Sequence, residues 1–83
     1  MPTVRATIRS PRALGDQLAR LRFEHGLTQA DLADKLGFDR RYIHEIEAGK
    51  QTRYATRLFE ILRELDARID LVSESERATA DDS

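Results

Sequence analysis

Arg40, Arg41, His44 and Glu45 fall within a stretch of six residues, and a helix turning 100° per residue would gather all four on one side. With Arg40 set at zero, His44, Ala48, Arg41 and Glu45 lie between roughly 0° and 140°, while Tyr42, Ile46 and Ile43 lie between roughly 200° and 300°. The chemistry such a face can do is hydrogen-bonded readout. Arginine donates two parallel hydrogen bonds to guanine O6 and N7, and a carboxylate accepts from cytosine N4. Catalysis is not expected: His25 and His44 stand nineteen positions apart with no ligand cluster around them, and no phosphate loop or nucleophile motif occurs. His25 suits the negative end of a helix dipole. The chain has no cysteine, which excludes disulfides and thiolate metal sites, and no cofactor is expected.

The residues around this face are those needed to hold it. Thr28 stands three residues before Asp31, the spacing of a capping box, so a helix of about nine residues should begin there. It carries Leu32, Ala33 and Leu36 on one stripe and stops at Gly37. Asp39 can cap the next helix, predicted from Arg40 to about Ala48, where Gly49 ends it. Two short helices joined by Gly37-Phe38-Asp39 match the length and glycine content of a helix-turn-helix, whose second helix reads the major groove with its N-terminal residues.

On either side lie the supporting elements. Ser10 caps and Pro11 opens a helix carrying Leu14, Leu18, Leu21 and Phe23 as core, ended by Gly26. Lys50-Gln51-Thr52-Arg53 reads as a polar loop, and Leu58, Ile61, Leu62 and Leu65 recur at helical spacing through residues 55–66. From Ala67 the period changes to two: Ala67, Ile69 and Leu71 alternate with Arg68, Asp70 and Val72, the pattern of a strand with one buried face. Its partner is either Val4–Ile8 of the same chain or the equivalent strand of a second copy. Residues 1–9 form an N-terminal arm, 10–72 the domain, and 73–83 an acidic tail without large apolar groups, expected to be disordered.

A chain of 83 residues makes one domain and buries only somewhat over 60% of its unfolded surface, so a partner subunit would help it. Net charge is −1, but residues 1–58 hold 11 Lys or Arg against 7 Asp or Glu, and residues 59–83 hold 3 against 8. A basic half beside an acidic end fits phosphate binding on one surface only. No apolar run is long enough for a membrane span or secretion signal, so a soluble, cytoplasmic protein is expected.

Residues 11–66 resemble the lambdoid phage repressor and Cro superfamily, the Xre family, through Leu27-Thr28-Gln29, Leu32-Ala33, Leu36-Gly37, Ile43, Ile46-Glu47 and Gly49-Lys50. The resemblance implies an all-α, lambda-repressor-like helix-turn-helix bundle of four to five short helices. It implies a phosphate grip by Gln29 at a helix N-terminus, further backbone contacts by Lys50, Thr52 and Arg53, and base reading by the segment that Asp39 opens. It also implies a partly buried pair between Arg22 and Glu47, which makes both structural. The helix-then-strand layout of Leu58 to Leu71 is similar to HipB-type antitoxins of HipA-type kinase modules. That likeness implies a homodimer in which the C-terminal strand, Arg68, Ile69, Asp70, Leu71 and Val72, pairs across the two-fold axis. It implies as partners double-stranded DNA with a palindromic operator and a HipA-like kinase toxin. The bulky apolar C-terminal anchor of some such antitoxins is missing here.

Overall fold

A computed structural model describes residues 3–74 of the chain. In order the elements are β1 (Thr3–Ile8), α1 (Pro11–Glu24), α2 (Gln29–Leu36), α3 (Arg40–Glu47), α4 (Arg53–Glu64) and β2 (Ile69–Glu74). The fold is therefore mostly helical but not all-α, because a two-stranded sheet accompanies the four helices.

Local chemistry sets every helix start. Ser10 Oγ accepts from the Ala13 N–H at 3.0 Å, Thr28 Oγ1 from Asp31 at 2.9 Å, Asp39 Oδ1 from Arg41 at 2.8 Å and Thr52 Oγ1 from Ala55 at 3.1 Å. Each bond satisfies a backbone donor that the first helical turn leaves without a partner. At Thr28 the box closes, since the Thr28 N–H also donates to Asp31 Oδ2 at 2.9 Å. The ends follow a second local rule. α1, α3 and α4 close with paired bonds of the Schellman type, such as Ala67 N–H to Leu62 C=O at 2.8 Å and Asp66 N–H to Arg63 C=O at 3.1 Å. Asp66 takes the left-handed conformation there with φ 53°, a position more often given to glycine. α4 starts two residues earlier than its apolar spacing predicts, so Arg53 is its first residue and not part of the loop.

Among the described residues the buried apolar side chains come from four different elements: Ile8 from β1, Ala33 from α2, Ile43 from α3 and Phe59 from α4. α1 contributes Gly15, where α3 comes so close that a Cβ would stand 2.6 Å from the Glu47 carbonyl oxygen and closer still to that of Ile46. Only glycine lets these backbones meet. Four expected core positions are corrected. Phe23 is 79% exposed, because nine residues after Leu14 it points to the opposite side of α1. Leu36 lies at the open end of its stripe and is exposed. On α4 the buried anchor is Phe59, while Ile61 and Leu65, expected to pack, are 56% and 69% exposed.

β2 runs antiparallel to β1 of the same chain, with Ile8 opposite Ile69, Ala6 opposite Leu71 and Arg5 opposite Val72. The partner strand is thus Val4–Ile8, the intrachain candidate, and one edge of β2 is already satisfied within the single chain. β2 begins at Ile69 and continues through Ser73 and Glu74, so Ala67 and Arg68 precede it and the acidic segment starts later than residue 73. The expected disorder of residues 75–83 falls outside the described residues.

Candidate nucleic-acid interface

α3 stands on its neighbours through one side only. Ile43 is buried and Ile46 half-buried against α1 and α2, which leaves the opposite side to solvent. Its entry is fixed by the turn. Gly37 adopts φ 74°, Phe38 N–H donates to Ala33 C=O at 2.9 Å, and the Phe38 ring meets Tyr42 edge-on with centroids 5.5 Å apart. A left-handed residue here would strain any side chain larger than glycine's.

Arg40 and Arg41 occupy the first two positions of α3 and are exposed, as is His44 one turn on. None of their side chains forms a hydrogen bond or ion pair among the described residues. No acidic residue stands within the first turn of the helix. Cations at the positive end of a helix dipole oppose it, so Arg40 and Arg41 do not contribute to the helix they open. Arg40 also borders an open cleft of about 660 Å³ shared with Thr28, Gln29 and Ala30 at the N-terminus of α2. The unpaired backbone donors of that terminus and the first cation of α3 thus share one hollow.

Behind this surface is a partly buried polar cluster. Arg22 Nε donates to Glu47 Oε2 at 2.6 Å, Arg22 Nη2 to Glu47 Oε1 at 3.1 Å and Arg22 Nη1 to the Leu27 carbonyl at 2.7 Å. Gln29 Nε2 donates to the same Glu47 Oε1 at 2.9 Å. Three helices therefore meet on one carboxylate, and Arg22 also ties the α1–α2 connection to the cluster. Burial pushes the Glu47 carboxyl up, but the hydrogen bonds from Arg22 and Gln29, with the charges of Arg22 and His44, outweigh burial and hold it below the ordinary range. The bond to Glu47 in turn raises the Arg22 guanidinium further.

Several expected site residues have other employment in the structure. Asp39 faces its own helix as cap, with Oδ1 accepting from the Arg41 N–H at 2.8 Å. The Gln29 amide, expected at a phosphate, gives one N–H to Glu47. Glu45 lies 3.4 Å from Lys50 Nζ, which joins two expected DNA contacts to each other on the surface. Thr52 caps α4, and Arg53 beside it is exposed. Arg68, just before β2, and Asp70 within it pair with one another at 3.0 Å, away from α3. Gly15 is the positioning residue that sequence reasoning passed over. Its signal was a small residue next to Leu14 in a stripe otherwise made of leucines.

Comparison with known proteins agrees with this geometry. A family model described as a helix-turn-helix domain matches residues 13–79. The chain is 33% identical over 70 residues to the uncharacterized HTH-type transcriptional regulator y4mF of Sinorhizobium fredii, covering 84% of this chain and 92% of that protein. It is 32% identical over 63 residues to the uncharacterized HTH-type transcriptional regulator y4dJ of the same organism, covering 75% and 82% respectively. No solved structure matches the chain with significance. With the family model spanning most of its length and both relatives covered over more than four fifths of theirs, the chain belongs to the helix-turn-helix domain family, of the Xre-like kind.

Proposed function

We propose that this chain is a DNA-binding transcriptional regulator whose helix α3 enters the major groove and whose dimer represses a palindromic operator. The carrying observation is the pair of exposed, unpaired arginines at the N-terminal end of α3, placed where they weaken the helix and so serve something outside it. The names of the two relatives as transcriptional regulators support the same reading. Arg40, Arg41 and His44 read base edges. The N-terminus of α2, with Gln29, and the cations Lys50 and Arg53 hold phosphates on either side. Two copies set α3 and its equivalent about 34 Å apart, one turn of duplex. The second edge of β2, over Ile69, Asp70, Leu71 and Val72 with Arg68 leading into it, is the route by which the strands of two copies meet. The helix-then-strand layout from Leu58 to Leu71 further supports an autorepressing antitoxin that restrains a HipA-type kinase. Against a stand-alone repressor, that narrower role requires a kinase encoded beside the gene that co-purifies with the chain.

The test is a gel shift on the native upstream promoter and on a random duplex. Arg40→Ala should cost roughly 1–3 kcal/mol on the promoter and much less on random DNA, whereas Lys50→Ala should weaken both alike. Equal losses on the two duplexes for Arg40→Ala would reduce that arginine to a phosphate clamp. A wild-type chain that ignores its promoter at low salt would end the DNA reading.

A further inference from the structure

α4 has two apolar faces, and the single chain uses one. With Phe59 at zero, Ala55 and Leu62 lie within about 60° of it, towards the interior, while Tyr54, Leu58, Ile61 and Leu65 cluster between roughly 200° and 260°. On that second face Tyr54 is 78%, Ile61 56% and Leu65 69% exposed, and Leu58 is half-buried. Their spacing of four, three and four residues is the alternation of d and a positions in a coiled coil. In that frame Arg57 and Glu64 are the two g positions. Both are exposed, and neither side chain has an ion pair or hydrogen bond among the described residues.

These charges decide the occupant. In an antiparallel pair of identical helices, g positions face g positions, so Arg57 meets the partner's Glu64 and Glu64 meets the partner's Arg57. The same two-fold brings Tyr54 against Leu65, and Leu58 against Ile61, filling the seam with unlike partners. A parallel pairing would instead set Arg57 and Glu64 opposite the e positions, held by Ala55 and Leu62, with no charge to meet. From this self-complementarity we infer that the outer face of α4 docks on the same face of a second copy of this chain, antiparallel, with Arg57 and Glu64 as the orienting pair. The pairing deepens the dimer of the proposed function, resting on that reading for its two-fold symmetry, and adds a surface distinct from the β2 edge.

Sedimentation velocity on the full chain tests it. Arg57→Glu and Glu64→Arg should each weaken self-association about tenfold, because each substitution turns two attractive pairs into repulsive ones. The double variant R57E/E64R restores complementarity and should return to within about threefold of wild type. Both sites are exposed, and thermal melts of the variants check that the fold survives. Single and double variants that associate equally, or a wild-type chain that stays monomeric at micromolar concentration, would overturn the pairing. The promoter gel shift run on the same samples separates the two ideas: promoter binding kept by a chain whose double variant shows no rescue sinks the helix pairing alone. Rescue in a chain that ignores its promoter supports the pairing and sinks the DNA reading.

Discussion

Around Glu47 the molecule closes on itself, with α1, α2 and α3 tied through Arg22, Gln29 and the Leu27 carbonyl. Around α4 it stays open, with Tyr54, Ile61 and Leu65 facing solvent and a sheet of only two strands at its end. The first region satisfies its polar groups internally and leaves cations outside; the second satisfies its caps and leaves apolar side chains outside. Unpaired arginines look for anions, and uncovered leucines look for another apolar surface. The two halves therefore point to different kinds of contact, one with a charged polymer and one with protein.

The largest effect separates the two faces of α4. Phe59→Ala should lower stability by about 4 kcal/mol, since it empties a buried site where α4 is anchored. Ile61→Ala, two residues along on the exposed face, should change the stability of the isolated chain by no more than about 0.5 kcal/mol. Similar losses in chemical denaturation of dilute protein would mean that α4 is not two-faced in the way described.

A somewhat smaller loss sharpens the Glu47 side. Arg22→Met leaves a partly buried carboxylate with Gln29 as its remaining side-chain donor, and should cost about 3 kcal/mol at neutral pH. The pH dependence carries a sign. Because the Glu47 carboxyl is held below its unfolded value, its contribution is fully present above the ordinary glutamate range and is lost as pH falls through the depressed folded value. Asp31 and Asp70, also held low, by Thr28 and by Arg68 respectively, add slopes of the same sign. Glu47→Gln should flatten the acid limb of a stability profile relative to wild type, and an unchanged limb would remove Glu47 from that role.

The smallest effect tests the start of α3. Asp39→Ala should cost about 1 kcal/mol through the lost cap. It should weaken promoter binding too, because the arginines it positions lie in the first turn. If stability falls while promoter affinity holds, α3 does not need its cap to present Arg40 and Arg41.

The sequence alone determined what depends on neighbours a few residues away. The caps at Ser10, Thr28 and Asp39 and the turn at Gly37 need nothing beyond local hydrogen bonds and one permitted backbone angle, whereas the cap at Thr52 stood in what read as a polar loop. The outward side of α3 followed equally from its period. Phe23 was legible in principle, because its angle on α1 sets it opposite Leu14, but hydrophobicity outweighed periodicity in placing it. The tertiary structure decided everything that joins distant segments. It gave β2 the partner β1 within one chain, sent Gln29 to Glu47, brought α3 against Gly15 and chose Phe59 over Ile61 as the anchor of α4. A periodic pattern says that a helix has an apolar face. Only packing says which of two such faces is covered, because that depends on surfaces from elsewhere in the chain, and here the second face still lacks one.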